Sequence, residues 1–213
     1  MQQPNPSNHQ ITHRIRACTN TAFPDMRGKI KVEVFGSFAN GLSTWHSDVD
    51  LVVTGLFEPD RATGGYSGGD KGRVTARLRR IADQMRAGKK GSKPDVTRLS
   101  IIGRARIPII KLRTRNNVSV DISISDSSGT QAAQYISVQS SKYPPMRPLV
   151  LVLKSYLKAQ RLNDVATGGL SSYSLCNMVV AHLQEELKCG RDIYDLGETL
   201  YSFLLRYGEE FDY

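Results

Sequence analysis

The chain has 213 residues, of which 39% are hydrophobic and 23% charged, with a formal net charge of +9. That length buries a core without disulfide or metal staples, and the composition is that of a folded protein rather than a disordered one. No apolar run approaches the roughly 18 residues a membrane helix needs, and the polar start MQQPNPSNHQ lacks the apolar stretch of a signal peptide.

His9 to Cys18 is expected to form a short helix, with Ile11 and Ile15 at i, i+4. Ile30 to Phe35 alternates as a strand does and ends at Gly36-Ser37. Val49 to Val53 is a second strand. Gly55 to Gly72 holds six glycines and little else that packs, which predicts a loop. Arg73 to Ala87 reads as a strongly basic helix, followed by a linker over Gly88 to Pro94. Val96 to Ile102, Ile107 to Arg113 and Val118 to Ile124 are three further β-type runs. Asn116-Asn117 suits a tight hairpin between the last two, because Asn tolerates positive φ. From Thr130 onward the pattern turns helical, over Thr130–Ser140, Pro148–Arg161, Ser172–Leu187 and Leu196–Tyr207. Strands first and helices afterwards argue for an α+β fold, with a sheet domain followed by a helical one and a boundary near Ser125 to Gly129.

Charge is concentrated. Residues 71–115 hold 15 Lys and Arg against Asp83 and Asp95, so the rest of the chain is net acidic. A block this lopsided suits a polyanion, RNA or DNA first. A solvated basic face is the competing reading. Cys18, Cys176 and Cys189 are odd in number and widely spaced, with no CxxC. This argues against a disulfide framework or a zinc site within the chain and for a reducing compartment. His13, His46 and His182 have no metal-ligand spacing and read as structural or surface residues.

The informative stretch is VEVFGSFANGLSTWHSDVDLVV. Asp48 and Asp50 lie two apart at the mouth of a strand, so their side chains point to one side. Two adjacent carboxylates repel unless a cation sits between them, and Mg²⁺ takes carboxylate oxygens. Alone, Asp-x-Asp is commonly a solvated turn. Asp121 adds to it: in VSVDISI, Val118, Val120, Ile122 and Ile124 share one face, and Asp121 faces the other way with Ser119 and Ser123. If that strand lies beside the Val49 strand, three carboxylates converge. Such a trio can hold two metals about 3.5–4 Å apart for in-line displacement at phosphorus. Gly36 and Ser37, eleven residues before Asp48, lie at a strand end. There a glycine lets backbone approach a phosphate and a serine near a helix start can bind an anion.

Gly-Ser, then Asp-x-Asp, then a strand Asp resembles the DNA polymerase β-like nucleotidyltransferase superfamily. Downstream, IPIIKLR, VDISIS, GTQAA, KYPPMRPLVLVLKSYLKAQRLNDV and TGGLSSYSL follow one another as in the nuclear noncanonical poly(A) polymerases, catalytic subunits of TRAMP-type RNA-surveillance complexes. The resemblance covers residues 30–213 apart from the Gly-rich loop and the basic helix. It implies a polymerase β-like palm, a mixed sheet with flanking helices, over 21–127. A partial helical PAP-associated central domain would follow over 128–213, with 1–20 packing on it. The chain ends at GEEFDY, where family members continue with the segment that reads the incoming base. The resemblance thus implies a member truncated at its C-terminus, with nucleotide preference left open.

Carried over residue by residue, the resemblance makes Asp48, Asp50 and Asp121 the ligands of two Mg²⁺ or Mn²⁺ ions, with Asp121 also accepting the proton of the RNA 3′-hydroxyl. Gly36 and Ser37 would hold the triphosphate of ATP. Lys154 and Lys158, at i, i+4 on one helix, and Ser172 would contact phosphates, and Tyr173 would stack on the base. Gly129 would touch the sugar. Gln131 stands where a basic residue is usual. The basic helix, through Arg73, Arg77 and Arg80, would hold RNA by phosphate contacts that are indifferent to sequence, and the nucleotide would lie between the two domains. The expected activity is template-independent addition of AMP from ATP to an RNA 3′ end in RNA surveillance. A uridylyltransferase and a catalytically silent RNA-binding scaffold are the rivals. A small-molecule nucleotidyltransferase shares Gly-Ser and Asp-x-Asp but not the LVLK and SSYSL stretches. The resemblance further implies a nuclear location, a zinc-knuckle RNA-binding subunit and an exosome-linked helicase as partners.

Overall fold

The computed structural model describes residues 6–44, 47–57, 66, 68–88, 96–105, 107–124 and 128–211. They fall into two compact units, one drawn from 1–39 and 46–131 and the other from 40–45 and 132–213. His46, most of the Gly-rich loop, the linker after Gly88 and the expected boundary at 125–127 lie outside the described residues.

The first unit is built on one mixed sheet of five strands. These are β1 (Lys31–Phe35), β2 (Val49–Thr54), β3 (Val96–Ile102), β4 (Ile109–Thr114) and β5 (Ser119–Ile124), in the order β1-β2-β5-β4-β3. Only β2 and β5 run parallel; the other neighbouring pairs are antiparallel. Alternation decides what each strand buries. Val49, Leu51 and Val53 of β2 and Val120, Ile122 and Ile124 of β5 are fully buried on one face. Burying each contributes about 1.5–3 kcal/mol. The hairpin between β4 and β5 turns on Asn117 at φ +61°, with Thr114 N–H bonded to Val118 O at 2.9 Å.

Helix α1 (Pro6–Ala22) and helix α3 (Gly68–Ala87) cover that buried face, and α2 (Gly36–Ala39) is a single turn after β1. In α3, Val74, Leu78, Ile81, Ala82 and Met85 form the buried stripe. The helix starts at Gly68, inside the stretch expected to be loop. Asp70 in its first turn complements the helix dipole, and the stripe offsets the cost of the glycines, about 1 kcal/mol each. Part of that stretch also packs: Tyr66 meets Phe57 at 5.5 Å between ring centroids, and its hydroxyl donates to Ile124 O.

The expectation that residues 1–20 pack on the helical domain is corrected. Ile11 and Ile15 lie in the sheet unit's own core, with Val32 and Leu78, and Arg16 donates to Val32 O at 3.0 Å. The two isoleucines complete the apolar layer beneath the sheet.

The second unit contains α4 (Ser128–Lys142, whose first turn belongs to the sheet unit), α5 (Met146–Ala159), α6 (Ser172–Lys188) and α7 (Leu196–Leu205). Its core gathers Ile136, Leu149, Leu153, Val179, Leu183 and Phe203 around Leu42 from the 40–45 segment. Two helix starts are capped by side chains. Ser171 Oγ accepts from Ser174 N–H at 3.0 Å, and Asp195 accepts from Gly197 and Glu198 N–H at 3.1 Å each. His182, expected to be structural, is buried with Nε2 at 3.0 Å from Ser202 Oγ. Among the described residues no helix is long and apolar enough to cross a membrane.

Candidate active site

The parallel register of β2 and β5 sets Val49 beside Val120, Asp50 beside Asp121 and Leu51 beside Ile122. Neighbours in register share a face. With the valines and isoleucines committed to the core, Asp50 and Asp121 project from the opposite face. The antiparallel register of β4 and β5 adds Lys111 directly beside Asp121. Three strands thus carry a row of Asp50, Asp121 and Lys111. Asp48, just before β2, reaches the same lysine: Lys111 Nζ stands 3.6 Å from Asp48 Oδ2 and 3.6 Å from Asp121 Oδ2.

Lys111 is the charged residue on this face that sequence reasoning missed. Its outward position follows from alternation with Ile110 and Leu112, but its place beside Asp121 needs the β4–β5 pairing. Burial raises the Asp121 carboxyl above the ordinary carboxylate range. Lys111 pulls it back, and the charge of Asp48 pushes it further up. Burial works to lower the Lys111 ammonium, but the Asp121 and Asp48 carboxylates together outweigh it and raise it. The ammonium therefore does between these two carboxylates what a divalent cation could do. Among the described residues no three His, Cys, Asp or Glu side chains are gathered as a ready metal-ligand group. The expected trio is thus brought to one face but is spanned by Lys111. One acceptor remains unused: Asp121 Oδ1 is buried without a hydrogen-bond partner. An orphaned carboxylate oxygen on the residue in register with Asp50 is the kind of donor a hard divalent cation takes.

Gly36 follows β1 directly and has φ +65°. A β-carbon there would overlap Asp50 Oδ2 and stand 3.1 Å from its Cγ. The glycine is therefore required to seat Asp50, a reason beyond the expected approach to a phosphate. Ser37 is half-buried in the one-turn helix α2.

The other candidates lie apart from the carboxylate row in sequence. Gly129 is in the first turn of α4, and Gln131 is exposed. In the helical unit, Lys154 is half-buried with Nζ donating to Leu42 O at 2.9 Å, whereas Lys158 is exposed. Lys154 is thus anchored to the backbone, while Lys158, one turn on, is open to solvent. Neighbouring Cys176 has its thiol pushed up to about 11 by burial, against the opposing pull of Lys154. Ser172 opens α6, and Ser171 serves as its cap. Tyr173 is 50% exposed, so it is a presented aromatic rather than a core one.

The three arginines expected to bind RNA are already engaged. Arg80 donates to Ala22 O at 2.6 Å and lies 4.4 Å from the Phe23 ring centroid. Arg77 stacks over Phe57 at 5.9 Å, and Arg73 pairs with Asp70 at 3.8 Å. Arg80 in particular is a clasp between α3 and the end of α1, which corrects its reading as a phosphate contact.

Comparison with known proteins agrees with this geometry. Residues 2–141 match the family profile described as poly(A) RNA polymerase, mitochondrial-like, central palm domain. The poly(A) RNA polymerase cid14 of Schizosaccharomyces pombe is 32% identical over 99% of this chain, which spans only 29% of that protein. A Drosophila melanogaster protein named as the inactive noncanonical poly(A) RNA polymerase Trf4-2 is 30% identical over 85% of this chain, spanning 42% of its own length. Among solved structures, the polymerase core of TRAMP, an RNA-surveillance complex, superposes with a TM-score of 0.73 at 25% identity. It covers 99% of this chain and 62% of the solved one. A mixed palm sheet with its carboxylates in register, a family profile over most of the chain and a relative matched along nearly its whole length place this protein in the family of noncanonical poly(A) RNA polymerases.

Proposed function

We propose that this chain carries the catalytic palm and part of the central domain of a template-independent RNA 3′-nucleotidyltransferase that adds AMP from ATP. The register of Asp50 with Asp121, with Asp48 on the same side, carries the proposal. Asp48, Asp50 and Asp121 would hold two Mg²⁺ or Mn²⁺ ions, with Lys111 giving way. Bound there, the ions supply positive charge that activates the attacking hydroxyl and neutralises the leaving pyrophosphate.

The chain's own groups do the rest. The RNA 3′-oxygen attacks the α-phosphorus of ATP, the bond to the β-phosphate bridging oxygen breaks, and Asp121 accepts the hydroxyl proton. Gly36 and Ser37 would hold the triphosphate, Lys154, Lys158 and Ser172 would contact phosphates, and Gly129 would touch the sugar. The exposed ring of Tyr173 would stack on the base, a contact tolerant of base identity and worth about 1–3 kcal/mol. A zinc-knuckle subunit and an exosome-linked helicase are the proposed partners, and the nucleus the proposed location.

Primer extension tests the reading. Labelled single-stranded RNA is incubated with each NTP and Mg²⁺ or Mn²⁺, beside the Asp48→Ala/Asp50→Ala variant. ATP-dependent extension lost in the variant supports it, and UTP preference would make the protein a uridylyltransferase. RNA binding without extension by the folded protein would leave a silent RNA-binding module, a reading favoured by the existence of a relative named as inactive.

A further inference from the structure

We propose that the groove between α3 and the end of strand β3 is a second RNA-backbone site, on the opposite side of the sheet from the carboxylate row. The inference rests on the reading of this protein as an RNA enzyme. The groove has a volume of about 580 Å³, and its walls include Lys71, Thr75 and Arg79 from α3 and Ile102, Gly103 and Arg104 from the end of β3. Lys71, Thr75 and Arg79 fall at i, i+4 and i+8, so they line one stripe of the helix. At 1.5 Å rise per residue the two cations are about 12 Å apart along the axis, a spacing that suits a chain of phosphates better than a single anion.

Engagement of charge selects this face. Arg73, Arg77, Arg80 and Arg86 of α3 are each held by Asp70, Phe57, Ala22 with Phe23, or Asp83. Among the described residues, Lys71, Arg79 and Arg104 have no ion-pair or hydrogen-bond partner and no carboxylate lines the groove. The walls are fixed by close packing. A β-carbon on Gly103 would stand 2.9 Å from Thr75 Cγ2 and 3.0 Å from its Oγ1, so the missing side chain is what lets strand and helix meet. Ile102, 42% exposed, offers an apolar surface to a ribose or base. β3 is the last strand of its sheet, so RNA upstream of the reacting 3′ end can pass around this edge from one face to the other. Contacts of this kind are to phosphate and are indifferent to sequence.

The test is fluorescence anisotropy of a long labelled single-stranded RNA against the parent chain and the Lys71→Glu/Arg79→Glu/Arg104→Glu variant. Arg27→Glu/Arg86→Glu/Lys188→Glu is the control of equal charge change. Circular dichroism and melting establish folding, and Lys71→Gln/Arg79→Gln/Arg104→Gln replaces the first variant if it fails to fold. We expect the groove variant to bind at least tenfold more weakly than the control variant. The slope of log affinity against log salt should also fall by about 2 for three lost phosphate contacts. Groove and control variants of equal affinity would overturn the groove while leaving the enzyme reading intact. A parent that binds no RNA would overturn both. A parent that binds but does not extend RNA, with binding lost in the groove variant, would keep the groove and remove the enzyme. Displacement by polyglutamate of a fluorophore on the groove, with RNA binding unchanged by its mutation, would make it a site for acidic protein and overturn the proposal.

Discussion

Gly36 lies so close to Asp50 that any β-carbon at position 36 would overlap the Asp50 carboxylate. The backbone at Gly36 is also left-handed, at φ +65°, which costs an L-residue about 1–2 kcal/mol. Gly28 is a built-in control, since its φ is +89° but a β-carbon there would meet nothing within 4 Å. Gly28→Ala should therefore pay only the backbone cost. Gly36→Ala should pay that and a further 1–3 kcal/mol or so for displacing Asp50. Urea denaturation of the two variants measures the difference, and equal losses would show that Asp50 moves aside freely. Primer extension should fall in Gly36→Ala and not in Gly28→Ala.

Burial of the Asp121 carboxyl costs stability once it is ionised. Its folded-state pKa is raised, with burial the largest cause. A raised carboxyl contributes stability below its ordinary pKa of 3.8, and that contribution is lost as pH rises through the folded value. Without divalent ions, Asp121→Asn should therefore melt above the parent at neutral pH, and the gap should close as pH falls toward 3.8. Adding Mn²⁺ should reverse the order, because only the parent gains from binding, by about 2.7 kcal/mol at a hundred times Kd. Thermal melts with and without Mn²⁺ across pH check both signs. A parent insensitive to Mn²⁺ would count against the metal site. Lys111→Met should respond to Mn²⁺ at lower concentration than the parent. Its lost pair with Asp48 and Asp121 is half exposed and is itself worth only about 0–1 kcal/mol.

The carboxylate face was legible in the sequence because alternation separates Asp121 from Val120 and Ile122 without knowledge of the fold. The hairpin at Asn117 was legible because its backbone conformation is a local property. Lys111 was not, because its meaning comes from two strand pairings distant in sequence. The charge block showed that the segment is basic, but not that Arg80 would spend its guanidinium on Ala22 while Arg79, one residue earlier, faces a groove. The packing of residues 6–22 was assigned to the wrong unit for the same reason. An amphipathic helix with Ile11 and Ile15 on one face declares that it will be buried, not by which unit.

Arg80 should therefore behave as a structural residue. Its bond to Ala22 O and its place over the Phe23 ring together contribute about 1–3 kcal/mol on ordinary scales for a charged hydrogen bond and a partly exposed cation–π contact. Arg80→Ala should lower the urea midpoint accordingly and leave RNA affinity near that of the parent once folding is allowed for. A variant of parental stability with a large loss of RNA binding would return Arg80 to the nucleic-acid interface. Arg80→Lys should recover little of the stability, because an ammonium cannot stack its plane on Phe23 while donating to Ala22.

His182 is expected to make the helical unit less stable on the acid side. Its ring is buried, with Nε2 at 3.2 Å from Thr199 O and 3.0 Å from Ser202 Oγ. Nδ1 is buried without a partner, and the Phe203 ring stands edge-on 5.5 Å away. Burial lowers its pKa from the ordinary 6.5, despite the opposing pull of Glu186 and the bond to Thr199. Well above pH 6.5, by about one unit or more, the imidazole is neutral in both folded and unfolded chains and contributes no pH dependence. As pH falls below that value the unfolded chain takes up the proton first, so stability declines until the folded-state pKa is passed. The slope cannot exceed about 1.4 kcal/mol per pH unit for one site. Unfolding free energies should thus be flat from about one pH unit above 6.5 upward and fall increasingly as pH drops past 6.5, and that fall should disappear in His182→Gln. Persistence of the full decline in that variant would assign it to another group.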